Sequence, residues 1–167
     1  MKTELEKVYK ILERVTPIKG DCGNLCDGLC CKGGNENGML LFPDEEKLFE
    51  GREGFKVIKT EGGECFLTCN GNCQREFRPL ACRMYPLFPV FDYNKGDSRV
   101  NIIKDPRGAK TCPLIYENIK LDINFVRAVR KATKCLIRDE KQLAHIKRIS
   151  GLLNDIIDLN VLLTEKK

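Results

Sequence analysis

Asp21-Cys22-Gly23-Asn24-Leu25-Cys26-Asp27-Gly28-Leu29-Cys30-Cys31-Lys32 places four thiols within ten residues, separated by glycine, asparagine and aspartate. Zinc asks for four ligands in a tetrahedron and accepts thiolate alone, and an iron–sulfur cubane also takes four cysteines. Glycines at 23, 28, 33 and 34 let the backbone fold tightly around a small charged centre. The four-residue steps Cys22, Cys26, Cys30 would share one helix face, but the glycines and asparagines between them favour turns. Adjacent side chains such as Cys30 and Cys31 are expected to point in different directions, which suits two metals, or one metal and a structural thiol.

The same four-residue step recurs downstream at Cys65, Cys69 and Cys73, before Arg78-Pro79-Leu80-Ala81-Cys82-Arg83-Met84-Tyr85-Pro86. Residues 20–38 and 60–86 are rich in Gly, Asn and Cys. Such stretches are expected to lack the apolar interior that would offset their ordering entropy, so ligation must do that work. The chain has 167 residues, ten of them cysteine. In a secreted protein these would be read as disulfides. Here the start Met1-Lys2-Thr3-Glu4-Leu5-Glu6-Lys7 is too charged for a signal peptide, and no segment has about 18 apolar residues in a row. The expectation is therefore a cytoplasmic protein with no membrane association, in which clustered thiols ligate metal.

The order of motifs is informative: a four-cysteine cluster, an apolar run with an acidic helix, Cys65-Phe66-Leu67, Gly71-Asn72-Cys73, then Arg-Pro-x-x-Cys-Arg-x-Tyr-Pro over 78–86. Across residues 20–90 this resembles the YkgJ-type cysteine-cluster family, described as zinc- or iron-chelating and related to flagellin lysine N-methylase. The resemblance implies metal ligands at Cys22, Cys26, Cys30, Cys31, Cys65, Cys73 and Cys82. Cys112-Pro113 supplies an eighth, since Cys-Pro often closes a metal-binding run. Eight thiolates would serve two four-coordinate sites, with zinc or iron, or a 4Fe–4S cluster, as cofactor. Cys69 is additional to the pattern, and is either a ligand or a spare thiol. Cys135, in a helical stretch, is expected to be a buried core thiol, and His145, the one histidine, a surface residue. Arg78 and Arg83, beside Cys82, are expected to donate hydrogen bonds to sulfur, and Tyr85 and Phe88 to shield the site.

Around the cysteines the periodicities predict a small metal-stapled α+β domain, with short strands and three main helices, one N-terminal and two C-terminal. Residues 3–15 carry the stripe Leu5, Val8, Leu12, Val15, and Pro43-Asp44 opens a short helix through Glu50. Strands are expected at 39–42, 55–59, 87–93 and 99–104, the last two joined by the turn 94–97. Helices are expected at 121–138 and 140–163, the latter with Leu143, Ile146, Ile149, Leu153, Ile156 and Leu159 inward. No internal boundary divides residues 1–167. Residues 20–90 form the cysteine-cluster core and 113–167 the helical part.

Net charge is +5, but residues 99–149 hold 13 Lys+Arg against 5 Asp+Glu. That block would suit nucleic acid or another anion. Without interleaved aromatics, solvated helix faces are the favoured reading. The functional expectation is a metal-binding protein that docks a protein partner or an anion. The alternatives are a metal-dependent enzyme related to a protein-lysine methyltransferase, and metal storage or delivery. Against the enzyme, no Gly-x-Gly-x-x-Gly follows a strand.

Overall fold

The computed structural model describes residues 3–32, 38–71, 74–91 and 100–164. Its architecture is α+β, and three helices build the main core together with a β-hairpin and a short helix. Helix α1 (Glu4–Ile11) opens with a reciprocal capping box between Thr3 and Glu6 and buries Val8. It packs on α4 (Ile123–Leu136), which Asp122 caps by accepting from the backbone of Asn124 and Phe125. The inward face of α4 is Phe125, Val129, Ala132 and Leu136, all fully buried. Helix α5 (Glu140–Thr164) adds Ile146, Ile149 and Leu153, while Leu159, expected inward, is 59% exposed.

The sheets lie between these helices in sequence. Strands β1 (Gly38–Leu40), β2 (Phe55–Lys59) and β3 (Cys65–Cys69) form an antiparallel sheet in the order β1-β3-β2, with Met39 and Val57 both opposite Leu67. Strands β4 (Leu87–Phe91) and β5 (Val100–Lys104) form a hairpin with Phe88 opposite Ile103. All five residues of β4 are buried, and α5 covers them. The expected turn 94–97 lies outside the described residues.

The second cysteine-rich stretch departs from expectation. Residues 65–69 form the central strand of a sheet, because Phe66, Leu67 and Thr68 are strand-favouring and alternate between its two faces. Helix α2 (Leu80–Met84) sinks Leu80, Ala81 and Met84 into the main core. Much of this stretch is therefore held by apolar burial, contrary to the sequence reading. The first stretch keeps its expected character: its turns, Cys22–Leu25 and Leu29–Cys31, bury no residue. His145 also departs. Only 8% exposed, it packs its ring 4.9 Å from that of Phe42, and burial together with Arg107 lowers its pKa to about 4.

The expected helix after Pro43 is a single 3-10 turn, Glu45–Leu48, entered through Asp44 in the left-handed region at φ 68°. It delivers Glu45 into the core with no exposure at all. One carboxylate oxygen accepts from Tyr9 Oη and from the Leu80 backbone N at 2.6 Å. The other accepts from the Phe42 backbone N at 2.9 Å. Arg83 stacks over the Tyr9 ring at 4.6 Å and adds positive charge. Burial nonetheless dominates and pushes the Glu45 carboxyl up to about 7.

Removing this acceptor orphans three donors, so Glu45→Ala is expected to cost roughly 3 kcal/mol or more, read as a lower denaturation midpoint. Because the folded pKa lies above the unfolded one, native Glu45 holds its proton after the unfolded chain has lost it. This residue's contribution to stability is therefore full below pH 4.5 and falls as pH rises from there to about 7. Glu45→Gln, compared with the parent by urea denaturation at pH 5 and pH 8, is expected to flatten that dependence.

Candidate metal centre

The first cysteine segment is shaped by its own backbone. Asp21 accepts from the Gly23 N at 2.9 Å, and Cys26 N and Gly28 N both donate to the Gly23 carbonyl, at 3.2 and 3.0 Å. Gly28 sits at φ 62°, and Cys31 N then donates to Gly28 O at 2.6 Å. These two small turns direct Cys22, Cys26, Cys30 and Cys31 into one cavity of about 450 Å³. Its opposite wall comes from far along the chain: Arg78, Tyr85, Thr111 and Cys112.

Cys112 is 7% exposed and precedes α3 (Pro113–Tyr116), whose first residue is proline. Its loop is tied by Asp105, which grips the Arg107 guanidinium through both carboxylate oxygens, and by Cys112 N donating to Gly108 O at 2.9 Å. The Tyr85 side chain shares this wall with Cys112 and Thr111, and burial and the Cys112 thiol raise the pKa of its hydroxyl. Gly108 makes room for it, because a Cβ there would stand 2.1 Å from that hydroxyl oxygen.

Cys30 Sγ and Cys31 Sγ are 3.8 Å apart. The neighbours thus converge instead of pointing apart. Two thiolates on one tetrahedral ion, with bonds of about 2.3 Å, stand about 3.8 Å from each other. Cys30 shares its proton with Cys31, which is lowered to about 6 by that hydrogen bond, with help from Arg78. Cys30 is raised by the same hydrogen bond and by burial, and Cys22 by burial and by Asp21, Cys112 and Cys26.

The remaining candidates sort by place. Cys82, on α2, opens onto an inner cavity of about 480 Å³ that also touches Cys22, Cys30, Cys31 and Arg78, and it donates to Met39 Sδ at 3.4 Å. Cys65 lies elsewhere. It packs with Leu41, Phe49 and Leu67, and lines a separate cavity with Glu46 and His145. Cys69, four residues along the same strand, lines neither thiol cavity. Cys135 packs half-buried against the main core, and Cys73 lies outside the described residues. All nine described cysteines are free thiols.

The two arginines also separate. Arg78 lines both thiol cavities and favours the Cys31 thiolate. Arg83 turns away from sulfur: its Nε donates to Arg78 O and its Nη2 to Glu76 O, both at 2.8 Å. A guanidinium that is 5% exposed must find acceptors, and the carbonyls ending the Arg75–Phe77 turn are nearest. Arg83 thus braces the Arg-Pro-Leu-Ala-Cys segment. Tyr85 does line the thiol cavity, and Phe88 the inner one. Sequence reasoning missed Glu45, Asp21, Thr111 and Met39. Only Asp21 left a sequence signal, as an Asx cap before a turn.

Among the described residues, no group of three or more His, Cys, Asp or Glu side chains is arranged to hold a metal ion. The donor chemistry still fits one: five soft thiols face a common space, two of them at the separation of ligands on one ion. No family model, curated protein or solved structure matches the chain.

The wall of the cavity is set by a close approach. Gly71 sits at φ 85°, and a Cβ there would stand 2.5 Å from the Cys31 carbonyl oxygen and 2.6 Å from the Lys32 carbonyl carbon. Gly71→Ala is expected to push the two cysteine segments apart and cost about 2 kcal/mol or more, seen as a drop in melting temperature. Gly62→Ala, in the turn between β2 and β3 and with only a side-chain atom at 3.8 Å, is the control and should melt near the parent.

Proposed function

We propose that this chain is a metal-binding protein in which four of the five thiols Cys22, Cys26, Cys30, Cys31 and Cys112, with Cys31 and Cys112 among them, hold zinc or iron, as a tetrahedral ion or as an iron–sulfur cluster. The observation that carries the reading is the convergence of these five thiols, from two distant parts of the chain, on one cavity. The motif order is similar to that of the YkgJ-type family, in keeping with zinc or iron chelation. The role is structural first. Residues 21–32 bury nothing of their own, and Leu25 and Leu29 are 48% and 46% exposed. Ligation would tie this segment to the Tyr85–Cys112 wall. Structural zinc contributes on the order of 10–16 kcal/mol in small peptides, comparable with the entire net stability of a domain. Arg78 compensates the negative charge of the thiolates, and Tyr85 covers them. Thiols of this kind persist in a reducing compartment such as the cytosol.

A metal-dependent enzyme is the second reading, favoured by the inner cavity behind the thiols, where Cys82, Arg107 and His145 meet apolar Leu40, Phe66 and Ile149. Saturable thermal stabilisation by S-adenosylmethionine would support it.

Protein purified anaerobically is expected to contain zinc or iron. Colourless zinc protein and brown iron–sulfur protein both fit, and a folded, metal-free protein sinks the proposal. Cys31→Ser and Cys112→Ser should each lower the metal-to-protein ratio and the melting temperature together. Cys65→Ser and Cys135→Ser should leave the ratio unchanged.

Stripping the metal with a chelator supplies a further check. Limited proteolysis should then cut first within residues 21–32, while the circular dichroism of the α1, α4 and α5 core persists. Uniform cleavage throughout the chain would show that ligation supports the whole fold instead.

A further inference from the structure

Five of the 13 cations in the basic block 99–149 gather on one feature, the outer face of α4. From Ile123 to Arg138 the chain has five Lys or Arg residues and no Asp or Glu. At 100° per residue, Arg127, Arg130, Lys131, Lys134 and, in the turn just beyond the helix, Arg138 fall within an arc of about 100°. That arc is opposite the buried residues Phe125, Val129, Ala132 and Leu136, and all five cations are exposed.

Among the described residues none of the five has an ion-pair partner, whereas the cations of α5 are engaged. Lys141 pairs with Asp44, Arg148 with Glu64, and Lys147 lies over the Phe91 ring. An acid-free row of this kind repels itself, and on an ordinary solvated helix Glu or Asp at i±4 would relieve it.

We propose that this face docks the phosphate backbone of nucleic acid without reading its sequence. Three observations select that occupant. The five charges spread over about 16 Å of helix, one per 3–4 Å, close to the 3.4 Å per charge along one strand of a duplex. The apolar face of α4 is already spent on the core, so the helix cannot sink into a bilayer interface, which requires a free apolar face. Exposed Ile123, at 54%, is the one large apolar side chain on the stripe. Finally, the face presents no carboxylates, so it suits a ligand of uniform negative charge better than a mixed-charge protein surface. The reading is independent of the metal centre, which involves none of these residues.

The test is fluorescence anisotropy with the full-length, metal-replete protein, a 20-nucleotide single strand and its duplex, from 50 to 200 mM salt. Five phosphate contacts predict a log–log salt slope of about −4.5 for duplex and −3.5 for single strand, or roughly 500-fold and 100-fold losses of affinity across that range. Arg130→Gln/Lys134→Gln should reduce the slope by about two units. Arg130→Glu/Lys131→Glu/Lys134→Glu should abolish binding while the melting temperature and metal content stay those of the parent. Three results would each overturn the proposal: no binding at 50 mM salt, a slope that the variants leave unchanged, or tighter binding to phosphatidylserine vesicles than to either oligonucleotide. If the charge-reversed protein fails to fold, the paired glutamine variant, which leaves the helix uncharged at two positions only, decides the question.

Discussion

A carboxylate with no solvent exposure, accepting hydrogen bonds from three separate parts of the chain, sets the geometry on which the cysteine site rests. Glu45 draws together Tyr9 of α1, the Phe42 backbone and the first amide of α2. An unpaired buried donor costs on the order of 1–3 kcal/mol, so the three must satisfy Glu45 together or not at all. Because Leu80 is one of them, the Arg78–Tyr85 segment is positioned from the core side. Arg83 then folds back onto the carbonyls of Glu76 and Arg78 and lies over Tyr9, closing a network that spans α1, the Glu45 turn and α2.

Everything on the cysteine side follows from where that segment is held. Arg78 and Tyr85 leave the brace facing outward and form the wall that the first cysteine turns meet. The Asp105–Arg107 clasp and the small size of Gly108 then let Cys112 approach from behind Tyr85. The molecule thus combines two kinds of order. One side is packed by apolar residues around Glu45. The other has turns, exposed leucines and thiols, with little apolar burial to hold them, and there ligand bonds would replace packing as the source of stability. Helix α4 belongs to the packed side, with a closed apolar face against α1 and a cationic face left open.

Much of the architecture was legible because periodicity is local. The stripes Val8, Leu12 and Ile146, Ile149, Leu153 needed no tertiary information to predict buried helix faces. The alternation in 55–59 was likewise enough for β2. The candidate site was only partly legible. The spacing of Cys22, Cys26, Cys30 and Cys31 announced a cluster and the Cys-Pro pair pointed to Cys112, yet nothing local showed that Cys65 would face an apolar layer. Cys65 reads as a ligand by position in the motif, but the strand it begins turns it toward Phe49 and Leu67. His145 reads as exposed because it has no helical partner of ligand type, and only the contact with Phe42 shows otherwise.

By itself, the sequence determined the class of fold, the helices and their inward faces, the turn-forming character of residues 21–32, and the soft, thiol-rich chemistry on offer. All of these depend on residue type and on spacings of a few residues. Tertiary structure alone decided which thiols share a space, which arginine stands beside them, and that a buried glutamate organises the whole. Those outcomes depend on contacts between residues about 35 to 90 positions apart, and the orientation of a side chain across such a gap is set by the packing of everything between.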